Sequence, residues 1–123
     1  MTKYGEAAVE AAELQRECNS PEAAWKRAVK KVFPHSPSSQ DKGCPRNAYL
    51  GLCEEGLVKG VPPGEYTDSK DNKGYAVDAV SELRKNPNLT KKELWERVAP
   101  ERKAMNGQMD VVLGLWEKQK IKR

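Results

Sequence analysis

The sequence predicts an all-α protein of about six helices, and three observations carry that prediction. Apolar residues recur at helical spacing in segment after segment, the segments open and close on capping and stop signals, and short blocks of the first half return in the same order in the second. The chain has 123 residues, which sets a ceiling of one compact domain or two small fused units.

The first helix is expected from about Lys3 to Cys18, where Ala7, Ala8, Ala11, Ala12 and Leu14 share a stripe and Glu6, Glu10 and Glu13 lie off it. Asn19-Ser20-Pro21-Glu22 then supplies a cap, a proline in the first turn and a carboxylate beside the helix N-terminus. A second helix follows to about Phe33, burying Ala24, Trp25, Ala28, Val29 and Val32, and Pro34 ends it. His35 to Cys44 is polar and turn-rich, so it is expected to be a loop. Pro45 opens a third helix through Glu55 with Ala48, Tyr49, Leu52 and Cys53 inward, and Gly56-Leu57 fits a left-handed stop.

Val58 to Ser69 contains Pro62-Pro63-Gly64 and cannot be helical; it is a linker or a hairpin-like turn. A fourth helix is expected over about Lys70 to Lys85, ended by Asn86-Pro87. Thr90 with Glu93 forms a capping box for the fifth, with Leu89 and Leu94 placed as a hydrophobic staple. That helix ends near Val98, and a sixth starts at about Gln108 with Met109, Val112, Leu113 and Trp116 inward.

Three pairs of blocks make the halves echo each other. Ala8-Val9-Glu10-Ala11 pairs with Ala76-Val77-Asp78-Ala79, Trp25-Lys26-Arg27 with Trp95-Glu96-Arg97, and Leu50-Gly51-Leu52-Cys53-Glu54 with Leu113-Gly114-Leu115-Trp116-Glu117. The expectation is one compact domain over 1–123 made of tandem three-helix units, about 3–60 and 70–123. Gly51 and Gly114 matter most, because glycine within a helix costs about 1 kcal/mol relative to alanine and needs a compensating reason. Close helix crossing is the simplest, and Leu at either position is then expected to overpack it by ~1–3 kcal/mol.

Composition narrows the function classes. With 37% hydrophobic and 33% charged residues the chain is polar for a globular protein, but three Trp, four Tyr and one Phe argue against disorder. No apolar run approaches the ~20 residues that span a bilayer, and no basic-then-apolar leader follows Met1, so no membrane partner is expected. The cysteines, Cys18, Cys44 and Cys53, form no CxxC, and reduced cytoplasmic thiols are the plain expectation. The net charge of +4 belongs to the C-terminal tail: outside Lys118, Lys120, Lys122 and Arg123 the chain carries 18 acidic side chains and as many basic ones. Such cations ordinarily sit at a helix C-terminus, with phosphate binding as the rival.

Little of the sequence points to catalysis or to a cofactor. The single histidine, His35, precludes a multi-histidine metal site, and there is no P-loop or GxGxxG. Cys44 is the sharpest chemical candidate because it precedes Pro45 at a helix start, where a thiolate is favoured, with Lys42 and Arg46 beside it. A cysteine that merely packs there is the commoner case. Arg46 and Asn47 offer donors to a carboxylate or phosphate. Tyr66, an aromatic among polar residues, is either a plug over the core or a partner contact. Glu54-Glu55 point about 100° apart on a helix and are expected to be solvated charges.

The segment Lys42 to Gly60, continued by Pro62-Pro63-Gly64 and Asn72-Lys73-Gly74-Tyr75-Ala76, resembles a family of small uncharacterised bacterial proteins, a domain of unknown function. The resemblance extends over most of the chain. It implies a bacterial, stand-alone cytoplasmic product and brings no activity, cofactor or catalytic residue. The reading that follows is a non-catalytic binding or accessory module for a protein partner or a small anionic ligand, with Cys44, Arg46, Asn47 and Tyr66 as contacts. One alternative is a DNA-binding protein with helix-turn-helix or winged-helix-like halves, reading through its last helix and the basic tail Lys118, Lys120, Lys122 and Arg123. A weaker one is a thiol-dependent enzyme centred on Cys44. Exposed Trp or Tyr would favour a homodimer.

Overall fold

The computed structural model describes residues 1–122 and contains six principal helices and one single-turn helix. These are α1 (Lys3–Leu14), α2 (Pro21–Val32), the single turn α3 (Pro37–Gln40), α4 (Gly43–Glu54), α5 (Lys70–Lys85), α6 (Lys91–Val98) and α7 (Gln108–Glu117). Among the described residues there is no strand, only an isolated antiparallel bridge between Val58 and Ile121. Among the described residues no helix is long and apolar enough to cross a membrane. The all-α prediction holds.

Side-chain caps account for most boundaries. Ser20 accepts from the Ala23 amide and Ser69 from the Asn72 amide, while Thr90 and Glu93 close both bonds of the capping box. Leu89 and Leu94, the expected staple, are both buried. After Leu14 the first helix tightens into a 3₁₀ turn over Gln15–Glu17 instead of running on as α-helix to Cys18.

One boundary corrects the sequence reading. The stretch taken as a loop before Pro45 holds α3 and the first residues of α4, which begins at Gly43 after Lys42 in extended conformation. Pro45 therefore occupies the first turn, where its missing N–H costs no helical bond, and Cys44 lies inside the helix rather than before it. At the other end, α7 stops at Glu117 and Ile121 is not helical.

Both α4 and α7 end in the same device. Gly56 at φ 73° follows α4, and the amides of Gly56 and Leu57 donate to the carbonyls of Cys53 and Leu52 at 2.9 and 3.0 Å. Gln119 at φ 58° follows α7, and the amides of Gln119 and Lys120 donate to Trp116 and Leu115 at 3.1 and 2.8 Å. Each is a left-handed stop with paired reversed hydrogen bonds. The chain then runs straight into the bridge: Lys59 N–H donates to Lys120 O, and Lys122 N–H donates to Leu57 O, each at 2.8 Å. In the block pairing drawn from the sequence, Leu57 corresponds to Lys120, Val58 to Ile121 and Lys59 to Lys122, so these two bonds are reciprocal.

Helix packing follows the same pairing. α1 packs on α2 and α7, α4 on α5 and α7, and α5 on α6. Ala7, Ala8 and Ala11 are fully buried, and such short side chains let neighbours approach α1 closely. A Cβ on Gly114 would stand 2.6 Å from the Cα of Gly5. A Cβ on Gly51 would stand 2.6 Å from the Cβ and 2.7 Å from the Cα of Lys73. The two helical glycines thus do not face each other, and each seats a helix of one half on the first helix of the other half. Between them α4 and α7 form the centre of the core, with Leu52, Cys53, Leu115 and Trp116 buried.

Candidate ligand cleft

The segment between α4 and α5 is a strap tied at several points. Proline-rich and unable to form helix, it needs partners for its amides, and α4 supplies them. The Glu54 carboxylate accepts the amides of Tyr66 and Thr67 at 2.8 and 3.2 Å through one oxygen and the Lys73 ammonium at 2.7 Å through the other. Lys73 also reaches Glu55 at 3.0 Å. The hydrogen bond from Lys73, then that from Tyr66, holds the Glu54 carboxyl down at about 2, and the two carboxylates raise Lys73 in turn. The expectation that Glu54-Glu55 are merely solvated charges is corrected for Glu54, whose side chain is only 16% exposed. Two later elements, the strap and α5, converge on a helix end that looks free in sequence.

Further along, Thr67 Oγ1 donates to Asn47 Oδ1 at 2.9 Å and accepts the Ser69 amide at 3.1 Å, which links the strap to the cap of α5. The Tyr66 hydroxyl donates to Pro62 O at 2.7 Å, folding the ring over Gly64 and against the core. Tyr66 is therefore half-buried and held by its own strap.

Strap, α2 and the start of α4 enclose a cleft of about 740 Å³. Glu22, Trp25 and Lys26 line it from one face of α2, and Arg46, Asn47 and Leu50 from α4. Tyr66, Thr67, Asp68 and Ser69 close the third side, with Gln40 and Asp41 at the turn before α4. Trp25 is 2% exposed and stacks on Tyr49 with ring centroids 5.4 Å apart. Its indole N–H is buried and has no hydrogen-bond acceptor among the described residues.

The structure brings three of the four sequence candidates, Arg46, Asn47 and Tyr66, to this one cleft. It does not bring Cys44 there; that thiol is partly buried in the first turn of α4 and free of disulfide. Sequence reasoning missed Trp25 as a wall residue because its apolar spacing marks it only as core. Burial pushes the Cys53 thiol up to about 12 and raises the Tyr49 phenol beside it, so neither is poised for chemistry.

The basic tail is partly tied down. Lys122 lends its amide and carbonyl to Leu57 and Arg84, Lys120 Nζ lies 3.9 Å from Glu13, and Lys118 is exposed. Arg123 lies outside the described residues.

No curated protein and no solved structure matches the chain. A family model does match, over residues 1–122, as the resemblance read from the sequence implies: the chain belongs to a family of unknown function (DUF6979).

Proposed function

We propose that this protein is a non-catalytic binding module of the bacterial cytoplasm, built from two copies of one three-helix unit, whose first copy holds a small polar ligand in the cleft between α2, α4 and the strap. The observation that carries the reading is the convergence of Arg46, Asn47 and Tyr66, from two separate segments, on one concave space walled by a buried tryptophan. The volume falls within the roughly 300–1,000 Å³ of ordinary small-molecule sites, and a few convergent polar groups on an aromatic wall are what such sites use. The reciprocal bonds between Lys59 and Lys120 and between Lys122 and Leu57 support the two-copy architecture.

The DNA-binding reading draws less support. Seven of the ten residues of α7 are buried, which leaves its side chains little to present to a groove, and Lys120 and Lys122 flank a bridge instead of extending a recognition helix. The thiol-enzyme reading lacks a base, since no hydrogen bond joins Cys44 to His35 or to a carboxylate among the described residues.

The test is an amide and indole NMR titration with four probes of different charge: inorganic phosphate, succinate, spermidine and an equimolar mixture of the common amino acids. At least one probe is expected to move the Trp25 indole and the amides of Arg46, Asn47 and Ser69 together, and Arg46→Ala is expected to weaken that response about tenfold. If no probe moves this group, or if all shifts lie elsewhere, the cleft is not the binding site.

A further inference from the structure

The charges around the cleft differ in kind from those a few ångströms along the strap. Where α4 meets α5, opposite charges close directly on one another: Lys73 spans Glu54 and Glu55 at 2.7 and 3.0 Å. Around the cleft, Lys26 and Arg46 stand with Glu22, Asp41 and Asp68, and none of the five makes an ion pair with any described residue. They are carried by α2, which bears both Glu22 and Lys26, by the turn before α4 with Asp41, by α4 with Arg46 and by the strap with Asp68, so charges of both signs face one space without closing on each other. Three acidic against two basic side chains give the rim a small negative balance. A polyanion such as a nucleotide or a tricarboxylate would meet repulsion there, and a simple cation would leave Arg46 and Lys26 unanswered.

The wall adds a free donor. Asn47 has its carboxamide oxygen engaged by Thr67, while its NH₂ group donates to no described residue. Trp25 contributes an apolar aromatic wall, its indole N–H being buried away from solvent. An occupant that supplies acceptors to Asn47 and Arg46, and donors to Asp41 or Asp68, answers both signs at once.

We infer that the cleft selects a zwitterion, a free amino acid or short peptide whose carboxylate is taken by Arg46 and Asn47 and whose ammonium is taken by Asp41 and Asp68. The inference rests on the reading of the cleft as a binding site and names the class of its ligand. Neither charge suffices alone, because each end of the ligand meets a different set of unpaired side chains. The volume of about 740 Å³ leaves room for a side chain or a second residue beyond the two charged ends.

The experiment uses the full-length protein and the equimolar amino-acid mixture, the same mixture N-acetylated, the same mixture as methyl esters, and inorganic phosphate, each followed by amide and indole NMR. The free amino acids are expected to move the Trp25 indole and the Arg46 and Ser69 amides, and blocking either end is expected to weaken that binding at least tenfold. The double substitution D41N and D68N, at two exposed positions, is expected to abolish the preference for free over N-acetylated amino acids, and Arg46→Gln the preference for free acids over esters. Binding of phosphate or of the N-acetylated mixture to the same residues, as tight as that of the free amino acids, overturns the zwitterion while leaving the cleft standing as a site. No response of these residues to any probe overturns both.

Discussion

Trp25 and Trp95 each stand five residues after a capping hydroxyl, Ser20 and Thr90, on the helix that follows the first of their half. Their surroundings diverge from there. Trp95 meets Tyr75 edge-on at 5.3 Å, and its indole N–H donates to the Lys103 carbonyl at 2.8 Å, because the connection after α6 doubles back through Arg102 at φ 66°. Trp25 stacks on Tyr49, its indole N–H has no acceptor, and the space along that side of α2 is the cleft. Similar helices with similar caps give a closed indole in one half and an unsatisfied one in the other. The lesson is that in this fold the connections, not the helices, decide where a cleft stays open.

The comparison breaks first at the glycines, where the largest effect is expected. If Gly51 and Gly114 are counterparts, Gly114→Ala costs about 3 kcal/mol and Gly51→Ala about 2 kcal/mol in denaturant melts, since even a methyl group meets backbone at 2.6–2.7 Å. The smaller value at Gly51 reflects a neighbour that is partly side chain. A loss below about 0.5 kcal/mol at either site would separate the two crossings.

The strap between α4 and α5 is tested through Glu54. Its carboxyl ionises at about 2 in the fold against an ordinary 4.5, so the folded state is favoured above pH 4.5 and that contribution fades as pH falls toward 2. Glu54→Gln is expected to lower stability at neutral pH and to flatten the acid limb of the stability curve between pH 4.5 and 2. A variant whose acid limb matches the parent's would mean that Glu54 does not hold the strap.

The paired helix stops predict smaller effects of opposite sign. Gly56→Ala is expected to cost about 1 kcal/mol, and Gln119→Gly to add up to about 1 kcal/mol, because each changes the penalty of a left-handed residue. Equal signs would deny the equivalence. Smallest of all is the thiol comparison: with its thiol pushed up to about 12, Cys53 is expected to react with a maleimide last, after the partly exposed Cys18 and Cys44, in native protein at pH 7.

Local chemistry made most of the helices legible. Ser20 and Thr90 mark starts that need only the next three residues to read, and Gly56 marks a stop in the same way. What failed to show depends on distant partners. Glu54 looks solvated until Lys73 and the strap amides are placed on it, and the one hint was a Pro62-Pro63-Gly64 segment whose neighbours needed an anchor. Gln119 hides a stop because glycine, the usual marker, is absent; only its place opposite Gly56 in the paired blocks signals it. Of the cleft, Arg46, Asn47 and Tyr66 were legible as polar or aromatic residues at a helix start and in a rigid turn, whereas Trp25 was concealed by its apolar spacing. Exposure of Trp or Tyr, the condition set for a homodimer, is not met: among the described residues Met1 is the only exposed large hydrophobic.

The most direct test of the central claim, a binding cleft in the first half against a closed counterpart in the second, follows the indole N–H resonances of Trp25 and Trp95 together while free amino acids are added. The account predicts a saturable movement of the Trp25 resonance, with Trp95 stationary behind its bond to Lys103. Movement of Trp95 alone, or of neither resonance, would contradict it.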